Sequence, residues 1–240
     1  MNIKLTISYD GTKYNGSQIQ PDCITVQSEL LKVMILLNIK TSLNFSGRTD
    51  KGVHAFGQVV SCDIPSFWKD LRKLKETLNK MLPNSILVKN IVEVASDFHA
   101  RFSAKSREYR YLISSKDLTP FNSNYLGPYR VINKTLIYDA IELLKGVHDF
   151  EYFSKTGSEP KSTVREIYNI RFYQYKDIYI LQFKANSYLR SQIRMLVDFI
   201  MKISQGKLTL ENLKSQLLKE NKHSWTLAPA SGLYLSKIRY

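Results

Sequence analysis

The chain has 240 residues, 43% of them hydrophobic, which is material for one large domain or two small ones with real cores and excludes a disordered chain. Lysine and arginine number 35 against 21 acidic residues, and the formal charge of +14 asks for a polyanionic partner or a membrane surface. The longest apolar run, Val33 to Leu37, is far too short to span a bilayer, so no membrane segment is expected.

In chain order, Ile3, Leu5, Ile7 and Tyr9 alternate with polar residues and predict a half-buried strand, which Asp10-Gly11 breaks. This strand pattern begins at once, so no secretory leader is expected. Thr25 is placed to cap a helix with Leu30, Leu31, Met34 and Leu37 on one face. Leu43, Phe45 and Gly47 read as a strand entering a loop at Arg48–Asp50, and Val59 to Cys62 as the strand after it. Ser66 is placed to cap a second helix, with Trp68, Leu71, Leu74, Leu78 and Met81 as its buried stripe. Its other face holds Lys69, Arg72, Lys73, Lys75 and Lys80, a solvated basic surface before it is an RNA contact. Pro83-Asn84 ends the helix, and a strand follows over 86–94.

The strand over 107–113 turns Arg107, Tyr109, Tyr111 and Ile113 to one side. A looser stretch at Thr119-Pro120 and Gly127-Pro128 connects two halves, 1–115 and 116–240. The second half reads as a helix over 135–144, strands over 163–174 and 178–185, helices over 189–203 and 210–218, and a closing strand over 232–240. Each half mixes strands with about two helices, an order that argues for α+β rather than a doubly wound parallel sheet.

Chemistry concentrates in a few places. Cys23 and Cys62 form no C-x-x-C and adjoin no histidine cluster, so no zinc site is expected, and this thiol usage suits a reducing cytoplasm. Gly11 and Gly16 are followed by Ser17 rather than lysine, which excludes a P-loop, and no nucleophile elbow or dinucleotide fingerprint occurs. The stretch Ser46-Gly47-Arg48-Thr49-Asp50-Lys51-Gly52-Val53-His54-Ala55 sets a guanidinium and a carboxylate two residues apart. An extended backbone sends both to the same side, where they can face one cleft, and Gly47 and Gly52 allow tight geometry on either side. The same residues also fit an ordinary surface turn.

Between Arg101 and Tyr111 the cations Arg101, Lys105, Arg107 and Arg110 interleave with Phe102, Tyr109 and Tyr111. That face is either a stacking platform for unpaired bases or a strand of half-buried tyrosines. After Asn186, the residues Leu189, Ile193, Leu196, Ile200 and Ile203 form a buried helix face, with Arg190, Arg194, Asp198 and Lys202 at steps of four on the other. These are either a solvated salt-bridge ladder or a scaffold from which Arg194 reaches an active-site carboxylate that needs a cation to stay ionised.

The stretch from Gly47 to Ala55 resembles the G-R-T-D-x-G-V-H-A signature of the tRNA pseudouridine synthase A family. Further resemblances run in order along the chain. They are Tyr9-Asp10-Gly11-Thr12-Lys13-Tyr14-Asn15-Gly16, Asp97 to Ala104 with Arg107 and Tyr109-Arg110-Tyr111, Lys184 to Arg190 with Arg194, and Ala228 to Leu235. The resemblance implies a two-lobed pseudouridine synthase fold with a basic cleft, its catalytic loop spanning 46–55. It implies isomerisation of uridines 38 to 40 in the anticodon arm of tRNA, by a cytoplasmic homodimer that needs no cofactor.

Position by position, the resemblance makes Asp50 the nucleophile or base on the target nucleotide and Tyr109 the surface that stacks on the extruded uracil. Arg194 would pair with Asp50, and Arg48 would occupy the space the base leaves. Arg190, Arg101 and Arg110 are further expected contacts to the RNA.

The chain departs from the family at Ser17, where a tryptophan is usual, at Ser162, where an arginine is usual, and at Asp198, where a glycine is usual. Asp198 lies one turn after Arg194 and could compete with Asp50 for it; an exposed Asp198 would compete weakly. Two other readings stand beside the isomerase: a ribonuclease using His54 or His99 with Lys51, and a non-catalytic RNA-binding protein on the same fold.

Overall fold

A computed structural model describes residues 1–157 and 160–240. The chain forms two compact units, Met1–Lys105 with Tyr234–Tyr240, and Ser106–Leu233. Compared with the division expected from sequence, 106–114 joins the second unit and 234–240 returns to the first. The reason is strand pairing: Ser106–Ser114 runs antiparallel to Ile178–Ala185 along its length, while His54 and Ala55 pair in parallel with Tyr234 and Leu235. Each unit is α+β, with mainly antiparallel pairing.

In the first unit, β1 (Asn2–Tyr9) lies between β3 (His54–Asp63) and β4 (Ile86–Glu93), and the short β2 (Asn44–Phe45) pairs with the far end of β3. The period of two in β1 buries Ile3, Leu5, Ile7 and Tyr9 on one face. Helix α1 (Val26–Leu36) is capped by Thr25, whose Oγ1 accepts from the Ser28 N–H at 3.1 Å while Ser28 Oγ accepts from the Thr25 N–H at 2.9 Å.

Helix α2 (Leu71–Met81) starts later than expected. Asp70, not Ser66, caps it, its Oδ1 accepting from the Lys73 N–H at 2.9 Å. Trp68 sits ahead of the helix and donates from Nε1 to the Leu37 carbonyl at 3.1 Å. A carboxylate four residues on outcompetes the serine because Pro65 already turns the chain there, the Trp68 N–H donating to its carbonyl.

In the second unit, β5 (Ser106–Ser114), β8 (Ile178–Ala185), β7 (Val164–Tyr175) and the short β6 (Gly146–Asp149) pair in that order, all antiparallel. Helix α3 (Lys134–Leu144) packs on β7 and on α4 (Gln192–Ser204), and α5 (Leu210–Leu217) follows. Helix α4 begins three residues after the expected start. Ser191 adopts a left-handed φ of 58°, which stops a helix from running back to Leu189. Among the described residues, no helix is long and apolar enough to cross a membrane.

Candidate active site

The loop between β2 and β3 carries the pair singled out by sequence. Its burial alternates: Arg48 is exposed, Thr49 is buried and Asp50 is half-buried. An extended chain with Thr49 turned inward turns both neighbours outward. Thr49 Oγ1 meets the Tyr9 hydroxyl at 2.8 Å. Burial pushes that tyrosine up to about 12, against the pull of hydrogen bonds with Thr49, Gln58 and Ser17, so it stays a neutral partner.

Below the loop, Ser46 Oγ donates to Gln58 Oε1 at 2.7 Å, and Gln58 Nε2 donates to the Gly47 carbonyl at 2.8 Å. Gly52 holds a φ of +77° within a turn closed by the Val53 N–H donating to the Asp50 carbonyl at 3.1 Å. That conformation favours glycine. Gly47, expected to be its counterpart, has no positive φ; its carbonyl is what the structure uses.

The histidines that a ribonuclease would need are engaged as acceptors. His54 is buried, and its Nδ1 accepts from the Gly11 N–H at 3.0 Å, with Asp10 Oδ1 at 3.3 Å. Accepting that N–H requires a lone pair on Nδ1, so the contact to Asp10 is not that of an imidazolium proton on this nitrogen. The His54 ring stacks on Tyr234 at 4.6 Å. His99 Nδ1 accepts from the Arg101 N–H at 3.1 Å and closes the turn that presents Arg101 and Phe102. Arg101 is exposed, its guanidinium 5.5 Å from the centre of the Phe102 ring.

In the second unit, Tyr109 is 8% exposed on β5, opposite Phe183 of β8, and meets Tyr188 edge-on at 5.3 Å and 86°. Burial pushes the Tyr188 hydroxyl well above the usual tyrosine range, with the neighbouring Tyr109 and Glu108 adding to it. Arg110 points to the other face of β5. It lines an open cavity of about 740 Å³ with Arg171, Gln182 and Lys145. Arg190 is exposed and donates from Nη1 to the Thr156 carbonyl at 3.1 Å.

Arg194 sits in the first turn of α4 and donates from Nε to the Ala228 carbonyl at 2.6 Å, while the Ala228 N–H donates to the Arg194 carbonyl at 3.0 Å. Tyr111, two residues along β5 from Tyr109, donates to the neighbouring Pro229 carbonyl at 3.0 Å. The segment 228–229 is thus tied to both β5 and α4.

The polar face expected on α4 is not a solvated ladder. Asp198 is 7% exposed, so the exposure on which weak competition was conditioned is not met. Its carboxylate accepts from the Tyr129 hydroxyl at 2.9 Å and from Thr226 Oγ1, and pairs with Lys202 Nζ at 2.8 Å. Lys202 in turn donates to Ser224 Oγ at 3.0 Å. Asp198 is satisfied by these groups and not by Arg194.

Arg48, Asp50 and Arg101 therefore belong to the first unit, and Tyr109, Arg110, Arg190 and Arg194 to the second. Sequence reasoning passed over Thr49 and Tyr9 as functional supports. The signal was present, since an inward residue is implied wherever two outward ones flank it.

A family model described as tRNA pseudouridine synthase matches residues 5–103 and 140–240. Curated relatives are similar along the whole chain. The tRNA pseudouridine synthase A of Campylobacter jejuni (strain RM1221) is 40% identical over 240 residues, covering 100% of both chains. That of Wolinella succinogenes is 39% identical, covering 98% of this chain and 92% of its own. That of Geobacillus sp. (strain WCH70) is 36% identical, covering 99% and 98%.

Proposed function

This chain belongs to the tRNA pseudouridine synthase family, and we propose that it isomerises uridines 38 to 40 in the anticodon arm of tRNA, with Asp50 acting on the target nucleotide. The observation that carries this reading is the loop itself: Thr49 is anchored inward, so Asp50 and Arg48 are presented together on a rigid support.

The reaction balances within one nucleotide. The N1–C1′ bond of uridine breaks, the ring turns, C5–C1′ forms, and the proton lost from C5 is matched by one gained at N1. A base inside a stack cannot do this, so the uridine is extruded. Arg48 takes the space the base vacates, and Tyr109 gives the extruded ring a face to stack on. Arg194 is the cation that keeps Asp50 ionised. Arg101, Arg110 and Arg190 supply charge toward the RNA backbone. The working form is a cytoplasmic homodimer. The resemblance along the chain supports these assignments, as does the engagement of His54 and His99 as backbone acceptors, which disfavours general acid–base cleavage by histidine.

The test is release of tritium from C5-labelled uridine in tRNA, with the unaltered protein beside Asp50→Ala. Release by the unaltered protein alone, with the affinity of Asp50→Ala for tRNA nearly intact, is the expected result. Tight binding with no release from either protein supports a non-catalytic RNA-binding protein, and strand cleavage on a gel supports a nuclease.

A further inference from the structure

Ser17 lies in the connection between β1 and α1, and it is completely buried. Its Oγ accepts from the Thr49 N–H at 2.9 Å, and its own N–H donates to the Thr49 carbonyl at 3.1 Å. Both backbone groups of one residue in the loop are therefore held by one residue outside it. The Ser17 carbonyl accepts from the Gln27 N–H at 3.0 Å, in the first turn of α1. The loop is thereby braced against a capped helix. Gly16 has a φ of +96°, and a Cβ there would stand 2.7 Å from the Thr49 carbonyl oxygen, so the approach is as close as a backbone permits.

Thr49 is thus gripped from two sides: its side chain by the Tyr9 hydroxyl, its main chain by Ser17. Asp50 is the next residue. Holding the peptides on both sides of the Thr49 Cα restrains the backbone from which Asp50 leaves, and the Val53 N–H on the Asp50 carbonyl restrains its other side. A tryptophan at position 17 would keep the main-chain bond to the Thr49 carbonyl but lose the side-chain bond to the Thr49 N–H. Tryptophan offers a donor only, and the Thr49 N–H needs an acceptor. The departure of this chain from its family at Ser17 is therefore a gain of a specific bond as well as a loss of a large ring.

We propose that Ser17 is a positioning residue for the isomerisation, acting through the main chain of Thr49 to aim Asp50; the proposal rests on the reading of Asp50 given above. Small misplacements of a reacting group lower the rate of the bound complex and leave binding of the RNA alone. The signature of Ser17 is thus in kcat and not in KM.

The experiment measures tritium release under steady-state conditions for the unaltered protein, Ser17→Ala, Ser17→Thr and Asn79→Ala. Asn79→Ala is a control for stability: Asn79 Oδ1 also accepts a backbone N–H, from Val88 at 2.8 Å, but joins α2 to β4 rather than the loop. Ser17→Ala is expected to lower kcat about 10- to 100-fold, with KM within about threefold. Ser17→Thr keeps the Oγ and is expected to recover most of the lost rate. Asn79→Ala is expected to lose comparable thermal stability with kcat unchanged.

An unchanged kcat for Ser17→Ala, a loss confined to KM, or an equal kcat loss in Asn79→Ala overturns the proposal. If Ser17→Ala does not fold, Ser17→Cys, which replaces the hydroxyl with a weak acceptor, is measured in its place, and an unchanged kcat there overturns it too. An unaltered protein that releases no tritium overturns the reading of Asp50 and the positioning role with it. Turnover by the unaltered protein beside an unaffected Ser17→Ala overturns the positioning role alone.

Discussion

Replacing Asp198 with alanine tests the polar network of the second unit. The substitution removes the acceptor of the Tyr129 and Thr226 hydroxyls and the counter-charge of Lys202, inside a site where Asp198 is only 7% exposed. Removing one partner of a buried ion pair costs about 3–5 kcal/mol. Lys202 keeps 26% of its side chain exposed and can turn toward water, which points to the low end, about 3 kcal/mol. For a chain of this size each kcal/mol lowers Tm by roughly 2–4 °C, so the expected fall is about 6–12 °C. Because the pair is shielded from solvent, the difference persists in high salt, where a surface pair would fade.

Thermal denaturation followed by circular dichroism at low and high salt is the assay. Hydrogen exchange at the Ala228 N–H reports whether the tied segment loosens, since Thr226 lies two residues before it. A fall in Tm below about 2 °C, or one that vanishes in salt, would refute the argument and return Asp198 to the class of exposed rungs.

Two further outcomes follow from the same geometry. Asp149 accepts from Lys219 Nζ at 2.6 Å; burial raises its carboxyl, but the bonds from Lys219, Thr163 and the Glu151 N–H outweigh this and hold it below its ordinary 3.8. A depressed carboxylate stabilises the fold above its unfolded pKa and loses that contribution as pH falls through the folded one, so the stability gap between Asp149→Asn and the unaltered protein should be full at pH 6 and narrow as pH falls below 3.8. Acid denaturation curves that stay parallel through that range would contradict it. At Tyr109, if the proposed stacking role holds, loss of the ring in Tyr109→Ala costs about 1–3 kcal/mol, read as kcat/KM in the tritium assay. Tyr109→Phe keeps the ring, and a loss as large as that of alanine would shift the role to the hydroxyl.

How far the sequence could be read depended on which force decides each element. Strand β1 was legible because a period of two, Ile3 to Tyr9, has one buried solution. Thr25 was legible because its capping bonds are local, three residues long. The start of α2 was not, because Ser66 and Asp70 are both competent caps and the turn at Pro65 decides between them. The outward pair Arg48 and Asp50 could be placed from alternation, whereas the supports could not: Ser17 and Tyr9 reach Thr49 across 32 and 40 residues of chain. Periodicity carries no information about such contacts. The burial of Asp198 was not legible for a related reason. A position on the polar side of a helical wheel is exposed only if nothing covers it, and the segment carrying Ser224 and Thr226 covers this one.

That covering segment also settles how charge is shared along α4. The helix offers two cations one turn to either side of Asp198, Arg194 before it and Lys202 after it. A carboxylate at this spacing can bond either. Thr226 and Ser224 break the tie, because they give Lys202 Nζ hydroxyl acceptors beside Asp198 Oδ2 and so fix the ammonium there. Arg194 instead turns its Nε to the Ala228 carbonyl, a neutral acceptor that holds the side chain without consuming its charge. Arginine suits this division, since a bond from one N–H of its planar fork fixes the plane of the guanidinium. Lysine at 194, a single point charge on a flexible stem, could not make the anchoring bond and stay aimed. The carboxylate that this chain carries at position 198 is thus met locally, by the Lys202 ammonium and the Tyr129 and Thr226 hydroxyls.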